Sequence, residues 1–368
     1  MKSFLLFLAT IGLVGSAVLR FGYGGGEPYP DLSTPPILSE SALEVALSYG
    51  EPIGNVAVSN DGRIFFTVHP ESRPQGNRLL EWVNGAAVPF PNGAVQPRLF
   101  NTVLGLTVDR QNRLWTIDHG NHGFASPRLL AFDLASGELL HDHLFQSDAA
   151  PAGSYLQDLD VSADGTVVYI ADASFWRKKP AIVIYDVSSR TARRVLESHE
   201  SVSAENYLIR TRTRDMTFLA GLISLKGGVD GIALDADNEW LYFAAINHSN
   251  LFRVPVAILR DASLPSRQVE IAVEQYSSKP MSDGIRIDGD GNLYVTDVEH
   301  GSVMLIGADL QPRTLIQSDR IRWADALAAG PDGWLYLADS AIQDQVLRSR
   351  EQMQAKAPYF IYRFRPGH

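Results

Sequence analysis

The feature that most constrains this chain is a repeat. Residues 228–256 read as Asp-Gly, an apolar strand (232–234), a turn (235–239), a second strand (240–245), a polar corner and a third strand (251–254). Short strands joined by tight polar turns make an antiparallel meander. The first half of that pattern recurs, giving six copies that begin at Gly54, Leu104, Gln157, Asp230, Asp283 and Asp325. Their spacings, mostly about 50 residues, fall in the range of β-propeller blades. One blade cannot bury both of its faces, whereas six around an axis can, and they leave a central channel. The expected fold is therefore all-β, a six-bladed β-propeller over residues 42–368.

The ends of the chain fit a closed ring. The first five hairpins are each followed by two further strands, but the sixth has one, at 359–365, before the chain ends. Residues 43–47 are the natural donor of the missing strand, closing the ring and removing an exposed edge. Ahead of them, residues 21–41 read as a Gly/Pro-rich linker or wrapped surface segment. Lys2 and the apolar run 4–18 make residues 1–20 a signal peptide or a membrane anchor. Either implies export to the periplasm or the extracellular space, with a possible tether through residues 4–19.

Composition excludes several classes. Net charge is −10 with no basic tract, which argues against nucleic acid. There is no cysteine, so disulfides, thiolate zinc sites and cysteine nucleophiles are ruled out. No zinc-protease, nucleophile-elbow or phosphate-loop motif occurs. A monomer with a small-molecule ligand is expected.

Hairpin geometry places the leading residue of strand one and the exit residues of strand two at the same end of the channel. Asp230, Asp283 and Asp325 converge there, with Gln157, Asp158 and Asn55. Around them come strand-two exits that include His69, Glu71, Asp118, His119, His122, Asn247, His248 and His300. Crowded carboxylates repel unless protonated, hydrogen-bonded or neutralised by a cation. One divalent cation, calcium by its preference for oxygen donors, is expected at Asp230, Asp283, Gln157 and Asn55. Asp283, His248, His119 and His300 are the candidate catalytic groups. Asn247, Asp325, Trp323 and Asp118 are the candidate substrate contacts. The competing reading makes each aspartate a backbone fastener and each histidine a rim residue. Residues 199–226, an Arg-rich insertion between blades three and four, are either functional or a tolerated excursion. Asn247-His248-Ser249 is a glycosylation sequon.

The segment L-G-L-T-V-D-R-Q-N-R-L-W-T-I-D-H-G from Leu104 and L-F-R-V-P-V-A-I-L from Leu251 resemble the Yellow/major royal jelly protein family. That resemblance implies a secreted six-bladed propeller that performs dopachrome conversion or only binds small molecules. V-D-G-I-A-L-D and S-D-G-I-R-I-D are also similar to the gluconolactonase/regucalcin family, which implies one divalent ion at the channel mouth and lactone hydrolysis. Carried across, that family's metal-binding Asp falls on Asp283, its Asn pair on Gln157 and Asp230, and its Glu on Gly54. Three functions follow as expectations: metal-assisted hydrolysis of a lactone or similar cyclic ester, Yellow-like conversion, and non-catalytic binding.

Overall fold

The structure, a computed structural model, describes residues 15–367. Most of the apolar run at 4–18 lies outside the described residues; residues 15–23 form a helix. Among the described residues no helix is long and apolar enough to cross a membrane.

Six four-stranded antiparallel sheets make the six blades. Blade one runs Ile53–Val58, Ile64–Val68, Leu79–Val83 and Ala86–Pro89. Blades two to five repeat that order, opening with Val103–Val108, Leu156–Val161, Val229–Leu234 and Ile285–Ile287. Blade six is composite. Its first three strands, Ala324–Ala329, Leu335–Asp339 and Tyr359–Phe364, come from the end of the chain. Its outer strand, Glu44–Tyr49, pairs antiparallel with Tyr359–Phe364, with Tyr49 opposite Tyr359 and Glu44 opposite Arg363. Leu47 is buried between blades six and one, against Ile53, Val56 and Tyr359. The ring therefore closes through the N-terminal strand, as the strand count demands.

The first strand of every blade but the fifth carries a register shift, at Ile53/Val56, Val103/Leu106, Leu156/Leu159, Val229/Gly231 and Ala324/Leu327. A bulge bends the strand and re-aims its side chains. Here it falls on the leading residues that turn toward the axis. A glycine follows several of these leading residues. A Cβ on Gly231 would stand 2.8 Å from the Asp283 carbonyl oxygen, and one on Gly284 would stand 2.3 Å from that of Asp325. At these two positions strand one lies so close to the next blade that only glycine fits.

The segment before the closing strand is wrapped rather than free. Ile37 and Leu38 donate backbone hydrogen bonds to Thr314 and Leu315 of blade five, and Glu27 bridges to Tyr207 of the insertion. The insertion itself is mostly extended. It holds one short turn, Glu200–Val202, and a two-residue hairpin, Thr217–Phe218 with Ile223–Ser224.

Candidate functional site

The channel end that carries the leading residues opens into a cavity of about 290 Å³. Its walls are mainly apolar: Phe175 and Trp176 from the loop after the second strand of blade three, Phe218, Leu219, Ile223 and Leu225 from the insertion, and Ile342 and Leu347 from the loop after the second strand of blade six. Its polar groups are His69, Glu71, His122, Tyr155, Gln157 and Asp283. The insertion is thus a wall of the site. Asn247 pins it there: its side chain accepts from Gly227 N–H (2.9 Å) and donates to the carbonyls of Tyr207 (3.0 Å) and Leu225 (3.1 Å). That amide is fully buried and fully paired, so the sequon at Asn247 is closed to glycosylation in the folded chain.

On the floor, Asp283 accepts a hydrogen bond from the Trp323 indole N–H at 2.5 Å, and Asp230 accepts one from the Gln157 amide at 2.6 Å. The two carboxyls also bond to each other, which requires a shared proton. Burial raises the pKa of both. Asp230 is raised further because the Asp283 charge faces it and its own proton is the one donated. Asp325, behind them, is held neutral by burial and by the Asp283 charge.

The wall beside it is a cluster of rings and one carboxylate. His122 Nε2 lies 2.8 Å from Glu71 Oε1, and the ring stacks on Tyr155 with centroids 4.6 Å apart. Burial opposes the Glu71 charge, but the hydrogen bond from His122 and the basic groups around it outweigh it and hold the carboxyl below its usual range. An ionised Glu71 can only accept, so Nε2 carries the proton of that bond. His122 Nδ1 is buried and has no hydrogen-bond partner among the described residues. His69 and His119 behind are neutral, since burial depresses both pKa values, that of His69 to about 4. Burial, together with the surrounding carboxylates, keeps the Tyr155 phenol protonated.

The backbone that presents His122 is unusual. Gly120, Asn121, His122 and Gly123 have φ of 61°, 51°, 57° and 69°, one turn of left-handed helix. Such a turn costs about 1–2 kcal/mol per non-glycine residue. Strain of this kind persists where the surroundings over-determine it, and it clusters at functional sites. Asp118 accepts the Gly120 N–H (2.9 Å) and the Asn101 and Thr102 N–H groups (2.6 and 2.8 Å), anchoring the turn.

The sequence-expected residues therefore divide. Asp283, Trp323 and Gln157 line the cavity, with Asp230 and Asp325 beneath it. Asp118 and Asn247 hold its walls. His119 packs behind His122 and Tyr155, at ring distances of 5.2 and 4.4 Å. His248 sits away from the cavity with its ring edge-on to Phe252. His300 bonds Asp297 at 2.9 Å and lines a separate hollow with Arg212 and Gln317; the Asp297 hydrogen bond raises its pKa to about 9. Asn55 stands one residue beyond its blade's leading position. That step points it toward the other end of the channel, where its amide donates to Asp158 at 2.7 Å. Tyr155, Phe175 and Trp176 are cavity residues that the repeat pattern does not reveal. The aromatic pair straight after an exit serine is their only signal.

These positions test the expected calcium set. Gln157 and Asn55 both turn an N–H donor inward, and Asn55 is elsewhere. The position of the resembled Glu is Gly54, where a Cβ would meet Leu104 Cδ1 at 2.7 Å and Thr67 Oγ1 at 2.8 Å. Among the described residues no group of three or more His, Asp or Glu side chains is arranged to hold a metal ion. Of the expected set, Asp230, Asp283 and Gln157 stay together, and the Asp230–Asp283 contact fits a shared proton.

Comparison with known proteins places this architecture. Residues 101–309 match the family model described as major royal jelly protein. The chain belongs to the major royal jelly protein family. Major royal jelly protein 3 of Apis mellifera is 24% identical over 212 residues, covering 55% of this chain and 37% of that protein. The match thus spans little more than a third of that relative. Among solved structures, a Xanthomonas campestris gluconolactonase shares the fold at TM-score 0.54 and 14% identity, over 93% of this chain and 98% of that one. A calcium-binding regucalcin from Agrobacterium tumefaciens does so at 0.54 and 15%, over 87% and 93%. At such identities the likeness is one of fold.

Proposed function

We propose that the protein binds a small, largely apolar ligand at the channel mouth and moves a proton on it without a metal ion. The observation that carries this reading is the apolar cavity floored by the proton-sharing Asp230–Asp283 pair and walled by Glu71–His122. The Glu71–His122 pair at the cavity wall takes a proton from an acidic carbon or phenol of the ligand. The carboxyl pair, oriented by Trp323 and Gln157, returns one elsewhere on the ligand. The net change is a tautomerisation. Water is kept out by the aromatic walls, which strengthens both groups. This is chemistry of the kind that the Yellow resemblance implies for dopachrome conversion.

The experiment is a panel of aromatic enols, catechol-derived quinones and simple lactones, followed by tryptophan fluorescence and by turnover. Binding quenches Trp176 and Trp323, and turnover of the enol or quinone class falls with His122→Ala. Calcium-dependent lactone hydrolysis that is indifferent to His122→Ala would instead establish the metal-assisted hydrolase. We also propose export, on the strength of Lys2 and the apolar run at 4–18. A reporter active only outside the cytoplasm, fused after residue 36, is expected to be active; an inactive fusion contradicts it.

A further inference from the structure

The cavity mouth is rimmed by exposed apolar side chains. Trp176, Leu219 and Leu347 line the cavity and remain 40%, 56% and 69% exposed. Large exposed hydrophobics scattered singly need no explanation, but a contiguous set marks an interaction surface. Two of the three are held at a cost. Leu219 has φ of 50° and Leu347 has φ of 58°, in the left-handed region where glycine or asparagine is the usual occupant. Leucine at both loop tips keeps apolar surface in water at positions that disfavour it.

The helix at residues 15–23 lies against the same rim. Leu19 and Tyr23 pack on the cluster that contains Phe218 and Val346. The Tyr23 hydroxyl donates to the Trp176 carbonyl at 2.7 Å, and the two rings are 5.9 Å apart. The helix's outer side carries Val18 and Phe21, 63% and 90% exposed. In sequence, the residues before this helix continue as an apolar run. The rim is also basic in a protein of net charge −10: Arg177, Lys178 and Lys179 follow Trp176 directly. Lys178 sits over the Tyr23 and Phe175 rings, at 4.9 and 4.3 Å, and Lys226 donates to the Gly24 carbonyl at 2.9 Å. Of these three, Arg177 pairs with Glu197 at 3.1 Å, a carboxylate already held by Arg194 at 2.7 Å.

Exposed leucine tips, an aromatic anchor and adjacent lysines form the pattern of a surface that seats in a lipid headgroup layer. We infer that the cavity face of this propeller docks on an anionic lipid bilayer, with the mouth turned toward the membrane. An apolar ligand then passes from the bilayer into the cavity without crossing water. The inference stands on the rim alone and does not depend on the proton chemistry proposed above.

The absence of cysteine makes the test clean. Single-cysteine variants of the full chain, Leu219→Cys and Leu347→Cys, are labelled with an environment-sensitive fluorophore. Asp332→Cys, in an exposed turn at the opposite channel end, serves as the reference. Each is mixed with phosphatidylcholine vesicles with and without phosphatidylglycerol, after melting curves confirm the fold. The labels at 219 and 347 are expected to shift to the blue and to be quenched by nitroxide lipids. The shift is stronger with phosphatidylglycerol and weaker when Lys178 and Lys179 are changed to Glu; the label at 332 is unmoved. Labels at 219 and 347 as wet as the one at 332 on vesicle-bound protein would overturn the proposal. That result would mean attachment by the N-terminal residues alone. Failure to bind vesicles at all would overturn it equally.

Discussion

The two ends of the central channel are built from adjacent positions of one repeat, yet they differ in chemistry. At one end the leading residues Gln157, Asp230 and Asp283 meet under an apolar cavity of about 290 Å³. At the other, the residues one step along, Asn55 and Asp158, face a polar hollow of about 40 Å³ with Arg286. Both ends bury carboxyls and both raise their pKa values; Asp158 is pushed up to about 7 by burial and then by the Asp283 charge, against the Asn55 hydrogen bond. What separates the ends is the roof. Residues 199–226 cover only the first, and that end alone of the two has the enclosed apolar cavity. The repeat supplies charge at both ends, and the insertion gives one of them its apolar wall.

Opening the ring tests whether the two ends are independent of closure. Deletion through Tyr49 removes the outer strand of blade six with buried Leu43 and Leu47, and should collapse both ends in one melting transition. Deletion through Pro36 keeps that strand, so the melting temperature should fall far less. Equal losses would contradict closure by Glu44–Tyr49.

Asp283→Asn should cut turnover by about 10²–10⁴-fold, the usual worth of a positioned acid–base group. Asp158→Asn, at the far end, should leave turnover within about two-fold on the same reasoning. Comparable losses from both would erase the distinction between the ends.

Gly54→Glu restores the side chain that the gluconolactonase resemblance places at the mouth. Because its Cβ would crowd Leu104 and Thr67, it should destabilise by about 1–3 kcal/mol, the typical cost of overpacking. It should confer no calcium response. A stable, calcium-responsive variant would show that the mouth accommodates a cation after all.

The smallest effect expected is on pH dependence. The folded-state pKa of Asp158, about 7, lies above its unfolded value near 4. Between those values the unfolded chain releases a proton that the folded chain keeps, so this group's contribution to stability falls as pH rises from about 4 to 7. Asp158→Asn should flatten that part of the stability curve in chemical denaturation. An unchanged slope would mean that Asp158 is not the group responsible.

Much of the fold was legible because each hairpin must declare its turn and its apolar alternation. The missing outer strand could be counted from the chain's end, and Leu43 and Leu47 marked its donor. The site was legible only in part. Asp283, Asp230, Gln157 and Trp323 follow from strand direction. Asn55 does not, because a bulge makes one residue's difference in position a change of channel end. The role of residues 199–226 was hidden because an aperiodic insertion carries no direction. Glu71–His122 was visible as two exit residues, but their pairing depends on a left-handed turn at 120–123. Of that turn the sequence shows only its two bracketing glycines.

The central claim is that the channel mouth is organised by a shared proton rather than a cation. Calorimetric titration of the chelator-stripped protein with calcium, read beside its melting temperature, tests it most directly. The account predicts no binding heat and no shift in melting temperature for the wild type. Saturable heat at one calcium per chain with a raised melting temperature, both abolished by Asp283→Ala and by Asp230→Ala, would contradict it.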